Sequence, residues 1–151
     1  MTIAERRAFV LHRAGYACEY CKFLLTFAAG IFVEEHIFPT AKGGTFALLN
    51  LAAACSSCNG RKYVLTTAID PISKQEVPLF NPRTDIWTNH FQWSDDFLLI
   101  EGITDVGRAT IERLDMNHEF TQNFRRLALG RVAVAGTYKL YSPVTNRNPT
   151  P

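Results

Sequence analysis

Hydrophobic positions fall into blocks along this chain, and the blocks differ in period. Between residues 2 and 14, Ile3, Phe9 and Val10 are set among Arg6, Arg7 and Arg13, with Thr2 placed to cap an N-terminus and Gly15 to stop the run. That spacing predicts a short amphipathic helix. CEYC follows, then an apolar stretch from Phe23 to Val33 interrupted by Gly30, which continues into FVEEHIFPTAKGG at 32–44. Two strands joined by a turn are expected there, ending near His36 before Pro39 breaks the run. From Leu48 to about Thr67 the composition turns to Leu, Ala, Asn and Lys around CSSCNG. This reads as a short helical turn, a cysteine knuckle and a second helix.

Residues 68–83, AIDPISKQEVPLFNPR, carry three prolines and read as an irregular wrapping segment. The stretch IWTNHFQWSDDFLLIEGIT alternates enough for one or two strands. DVGRATIERLDMN spaces Val106, Ala109, Ile111 and Leu114 at helical intervals, and EFTQNFRRLAL continues that character after a break at Asn117. The final SPVTNRNPTP is polar and proline-bearing, a loose tail or a surface run. A single α+β domain over 1–130 is expected, with a core at about 12–67, a supporting extension at 68–130 and a tail at 131–151.

Composition supports one compact domain: 151 residues leave little room for two cores, and 47% apolar against 20% charged residues argues against wholesale disorder. A net charge of +2 is compatible with a polyanionic partner but too small to name one. No run approaches the roughly 18 apolar residues of a membrane helix, and the charges in MTIAERRAFVLHR are unlike a signal peptide. A soluble, cytoplasmic protein with no membrane partner is the expectation.

The cysteines change the picture most. All four fall into C-x-x-C pairs, Cys18 with Cys21 and Cys55 with Cys58. Two such turns converge thiolates on one tetrahedral ion, a closed four-cysteine site of the structural Zn2+ type. Paired disulfides are disfavoured because intracellular thiols stay reduced, and thioredoxin-like redox chemistry would need only one pair in a βαβ context. The window between the pairs is longer than a simple ribbon requires, and it contains the acid-histidine stretch.

Taken in order, CEYC, EEHIFPTAKGG and LLNLAAACSSCNGRK resemble the HNH endonucleases that carry a four-cysteine zinc frame, over about residues 12–63. The resemblance implies a ββα-metal core that hydrolyses DNA phosphodiester bonds. It makes His36 the general base, an imidazole able to accept a proton near neutral pH. Asn50 would orient His36. Glu35 and Asn59 would hold one divalent cation, Mg2+ or Mn2+, since hard oxygen donors suit those ions and the motif's last position is Asn here instead of the frequent His. Lys42, Arg61 and Lys62 would face phosphates, Lys62 at a frequent family position. A one-cation site cuts one strand per visit, so a double-strand break calls for a homodimer or two encounters.

Each residue also has a plainer reading. His36 could be a hydrogen-bonded core histidine, Asn50 and Asn59 could be helix caps, and Glu34 is left to solvent. In LFNPRTDIWTNHFQW, Phe80, Trp87, Phe91 and Trp93 favour packing over base stacking. Arg108, Arg113, Arg125 and Arg126 default to a solvated helix face. A non-catalytic zinc-stabilised nucleic-acid-binding or adaptor module is the alternative to the nuclease, and a thiol oxidoreductase is a third reading.

Overall fold

A computed structural model describes residues 1–25 and 32–135. In chain order the elements are α1 (Ile3–Arg13), β1 (Val33–His36), β2 (Leu51–Ala54), α2 (Ser56–Lys62), β3 (Thr67–Ile69), β4 (Glu76–Pro78), α3 (Trp87–His90), β5 (Phe91–Trp93), β6 (Ile100–Gly102), α4 (Asp105–Leu114) and α5 (Glu119–Ala135). Among the described residues the strands pair as antiparallel two-stranded ribbons, β1 with β2, β3 with β4 and β5 with β6. The class is α+β, as expected.

A capping box starts α1: the Thr2 hydroxyl accepts the Glu5 amide and the Glu5 carboxylate accepts the Thr2 amide. The inward face, however, is not the apolar one expected. Ile3 and Phe9 are exposed, and Val10 is the buried residue of this helix. Around Val10 the arginines turn inward. Arg6 makes a bidentate pair with Glu34 at 3.0 and 3.1 Å, Arg7 donates to the Phe32 carbonyl, and Arg13 donates to the Leu48 and Leu51 carbonyls at 2.9 and 2.6 Å. A guanidinium offers five donors in a fixed fork, so it can dock a helix on carbonyls and a carboxylate where apolar area is scarce.

The partner of β1 is LAAA at 51–54, in the register Val33↔Ala54 to His36↔Leu51. Alanine favours helices, which is why this stretch reads as helical, but every residue of β2 is fully buried and both of its edges are used. On the edge away from β1, the Glu19 amide donates to the Ala53 carbonyl and the Ala53 amide donates to the Glu19 carboxylate. Small side chains let these layers close. Residues 26–31, with Gly30 and the expected first strand of the hairpin, lie outside the described residues. β1, β2 and α2 follow one another as strand, strand and helix, with the second strand standing where a helical turn was expected.

Residues 68–83 are not merely a wrapping segment, since they supply most of the β3–β4 hairpin. A two-stranded ribbon leaves one edge of each strand outside the ladder, so Pro78 is tolerated there. Asp70, at the end of β3, is fully buried and takes Arg108 of α4 through two bonds of 2.8 Å, and that guanidinium holds its carboxyl well below the usual range. Arg108 is therefore an internal partner and not a solvated one. Arg125 is also buried: it donates to the carbonyls of Leu98 and Met116 at 2.7 and 2.9 Å and to Asn117 at 3.0 Å. Arg113 and Arg126 are exposed, as a helix face would have them. The aromatics pack: Trp87 lies 5.1 Å from Phe91 and 5.8 Å from Trp93 between ring centroids. α5 runs to Ala135, past the start expected for the tail, and 136–151 lie outside the described residues.

Candidate functional site

The four sulfurs of Cys18, Cys21, Cys55 and Cys58 lie within 4.8 Å of one another, and none is in a disulfide. Cys21 and Cys55 are 3.7 Å apart. A tetrahedral zinc with Zn–S bonds of about 2.3 Å has sulfur edges of about 3.8 Å, so the donor set fits the ion in number, type and spacing. Local structure brings them together: the first pair is held in a turn closed by the Lys22 amide on the Cys18 carbonyl, and Cys55 caps α2, its sulfur accepting the Cys58 amide. Crowding of the sulfurs splits their acidities. Hydrogen bonds from Cys18, Cys21 and Cys58 push the Cys55 thiol down, while Cys21 and Cys58 are pushed up by their sulfur neighbours. A dication replaces that competition for protons with four thiolate bonds.

Beside the knuckle, Glu35 is 2% exposed. Its Oε1 is 2.6 Å from the Lys62 ammonium and its Oε2 accepts the Tyr20 hydroxyl at 2.7 Å. Burial, reinforced by the Glu35 charge, raises the Tyr20 phenol, which keeps it a donor. Lys62 is 1% exposed and also donates to the carbonyls of His36 and Ile37 at 3.1 and 3.0 Å. This corrects the expectation that Lys62 faces phosphates: an ammonium has three donors, and these three acceptors use them. Glu34 is corrected too. Its side chain is only 8% exposed and is paired with Arg6 and Arg7 instead of being left to solvent.

His36 closes β1, and its Nε2 is buried without a hydrogen-bond partner. The imidazole meets the edge of Phe46 at 4.5 Å between centroids, and Arg6 lies 4.6 Å over the Phe46 ring. Asn50 holds the loop after His36 and not its ring: its Oδ1 accepts the Phe38 amide at 2.8 Å, and its Nδ2 donates to the carbonyls of Phe38 and Thr45. No bond from the Asn50 side chain to the His36 ring is present, contrary to the direct contact expected. Gly43 takes φ +92, and a Cβ on Gly44 would collide with the Phe38 carbonyl, so the paired glycines are what allow the loop to fold back on itself.

Asn59 lies half-buried in α2, and its side-chain amide has no hydrogen-bond partner among the described residues. Arg61 is 48% exposed and pairs with Asp115 at 3.1 Å, and Lys42 is exposed at the end of a short turn. For a catalytic cation the donor chemistry present is the Glu35 carboxylate and the Asn59 amide oxygen, hard donors that suit a divalent ion. Glu35 already accepts two bonds but retains lone pairs, so the set fits with Lys62 as a competitor for the same carboxylate. Spacing alone misses Tyr20, Lys62 and Glu19 as internal partners. The signal available is the content of CEYC itself, an acid and a hydroxyl enclosed between two metal ligands.

The HNH endonuclease family model matches residues 18–74, the stretch that contains both cysteine pairs, β1, β2 and α2. Over this segment the chain is similar to the HNH endonucleases. Over 141 residues the chain is also 26% identical to the Septu protein PtuB of Bacillus thuringiensis, covering 92% of this chain and 51% of that protein. It spans about half the length of that relative. No solved structure matches the chain. The matched segment is thus framed by a cysteine cluster suited to zinc, and among the described residues no helix is long and apolar enough to cross a membrane.

Proposed function

We propose that the chain is a metal-dependent endonuclease that hydrolyses DNA phosphodiester bonds with His36 as general base. The observation that carries this reading is the buried His36 Nε2 with no hydrogen-bond partner, at the end of β1 in the segment similar to the HNH endonucleases. A buried polar atom left open calls for an explanation, and a waiting reactant is one. In the tautomer with its proton on Nδ1, Nε2 takes a proton from water. The water oxygen bonds to phosphorus, the bond from phosphorus to the 3′ oxygen breaks, and the leaving oxygen is protonated by solvent. Lys62 and Asn50 hold the backbone that follows the imidazole, at His36 to Phe38, which limits the directions Nε2 can face.

Glu35 and Asn59 are the residues that would hold Mg2+ or Mn2+, which when bound supplies Lewis-acid stabilisation of the charge on the phosphate. Lys42 and Arg61, the exposed cations nearest in sequence, would meet the backbone of the substrate. A homodimer would place two such sites on opposite strands. Supercoiled plasmid incubated with Mg2+ or Mn2+ is expected to become nicked or linear. His36→Ala is expected to lower that rate by about 10²–10⁴-fold with zinc retained. Full activity in His36→Ala would sink the mechanism.

One observation favours the second reading, a non-catalytic zinc-stabilised nucleic-acid-binding or adaptor module. The Glu35 charge is already met by Lys62 inside the protein. Plasmid that is bound but never cut with any divalent ion would support it.

A further inference from the structure

We infer that Tyr20 is a positioning residue of the candidate nuclease site: held by the zinc knuckle, its hydroxyl fixes Glu35, which through Lys62 fixes the backbone at His36. The inference rests on the reading of His36 as the base. Tyr20 lies between two of the four clustered cysteines, and it is fully buried. Its main chain is anchored from outside the HNH segment, because its carbonyl accepts the Trp87 indole N–H at 2.9 Å. Its ring meets the edge of Phe80 at 6.3 Å. Packing alone would be served as well by phenylalanine. What the hydroxyl adds is one bond, 2.7 Å to Glu35 Oε2.

That bond begins an unbroken chain of contacts. The other Glu35 oxygen takes Lys62 at 2.6 Å, and Lys62 donates to the carbonyls of His36 and Ile37. Tyr20, Glu35 and Lys62 are each no more than 2% exposed, so water cannot replace a missing link without entering the core. Remove the hydroxyl and Oε2 loses its donor. The carboxylate then turns toward another donor, Lys62 follows its charge partner, and the carbonyl of His36 loses its fixed donor. The knuckle thereby sets the direction of an imidazole that no sulfur touches.

Tyr20→Phe tests this, since it keeps the ring and all four cysteines. Expected are an unchanged zinc stoichiometry by native mass spectrometry, a kcat on plasmid lowered about tenfold with KM unchanged, and displaced His36 ring resonances in ¹H–¹⁵N NMR. The double variant Tyr20→Phe/Glu35→Gln should be no slower than the slower single variant, because both break one chain. Wild-type kcat and unmoved His36 resonances in zinc-loaded Tyr20→Phe would overturn the inference. If the wild type cuts no substrate, the nuclease reading fails and the NMR comparison alone decides the positioning role, unmoved resonances overturning it. If Tyr20→Phe loses zinc, Glu35→Gln, which leaves the knuckle untouched, must displace the same His36 resonances. Their constancy would overturn the inference equally.

Discussion

The cysteine frame and the loop from His36 to Asn50 are neighbours in space with opposite finish. Around the frame the carbonyl of Tyr20, both carboxylate oxygens of Glu19 and the Cys55 sulfur have partners, and the Nε of Arg83 is left open in a guanidinium that already pairs with Glu19. In the loop the backbone is as firmly tied, by Asn50 on both sides of the turn, yet the side chains are not: Nε2 of His36 is orphaned, and Phe38, Phe46 and Leu49 are 47, 55 and 80% exposed. The difference teaches where to look for chemistry. A structural site spends its polar groups on itself, whereas a site built for a substrate leaves some of them open on a rigid support.

Breaking the frame should have the largest effect. Cys58→Ser is expected to lose stoichiometric zinc and the cooperative thermal transition with it, since structural zinc sites contribute about 10 kcal/mol or more in small domains. A retained transition in zinc-free Cys58→Ser would show that the extension carries the fold without the metal. Next comes Lys62→Met, which sits between the two regions. It strands the Glu35 charge in the core and should cost about 3–5 kcal/mol, read as a lowered denaturant midpoint, with zinc still bound. Smallest is Asn50→Ala in the loop. Losing its three hydrogen bonds at a half-exposed position should cost about 1–2 kcal/mol while slowing plasmid cleavage, so stability and rate would separate there as they should not in the frame.

Much of this was legible in the residues. The cysteine quartet, the Thr2 cap, α4 and the packed aromatics follow from local spacing, and the family segment overlaps the window in which the motifs stand. What local spacing could not show was the destination of charge. Arg108 and Asp70, or Lys62 and Glu35, meet only after the chain folds back, and each looks in sequence like an ordinary solvated residue. The β2 stretch was hidden for another reason: alanine's helix preference is weak, and full burial between two bonded edges outweighs it. At α1 the period was right and the face wrong, because arginines with carbonyl and carboxylate partners can be the inward side of a helix.

The indole of Trp87 and the guanidinium of Arg125 reach back to the carbonyls of Tyr20 and Cys21, the latter at 3.5 Å. During translation these partners arrive in a fixed order. All four thiols precede Trp87 and Arg125 in the chain and leave the ribosome before them, so an ion can be captured early. The indole that steadies the turn holding Tyr20 comes later, and the last donor only when α5 emerges. A half-made chain can therefore gather its cysteine quartet before the carbonyls of Tyr20 and Cys21 have their distant donors.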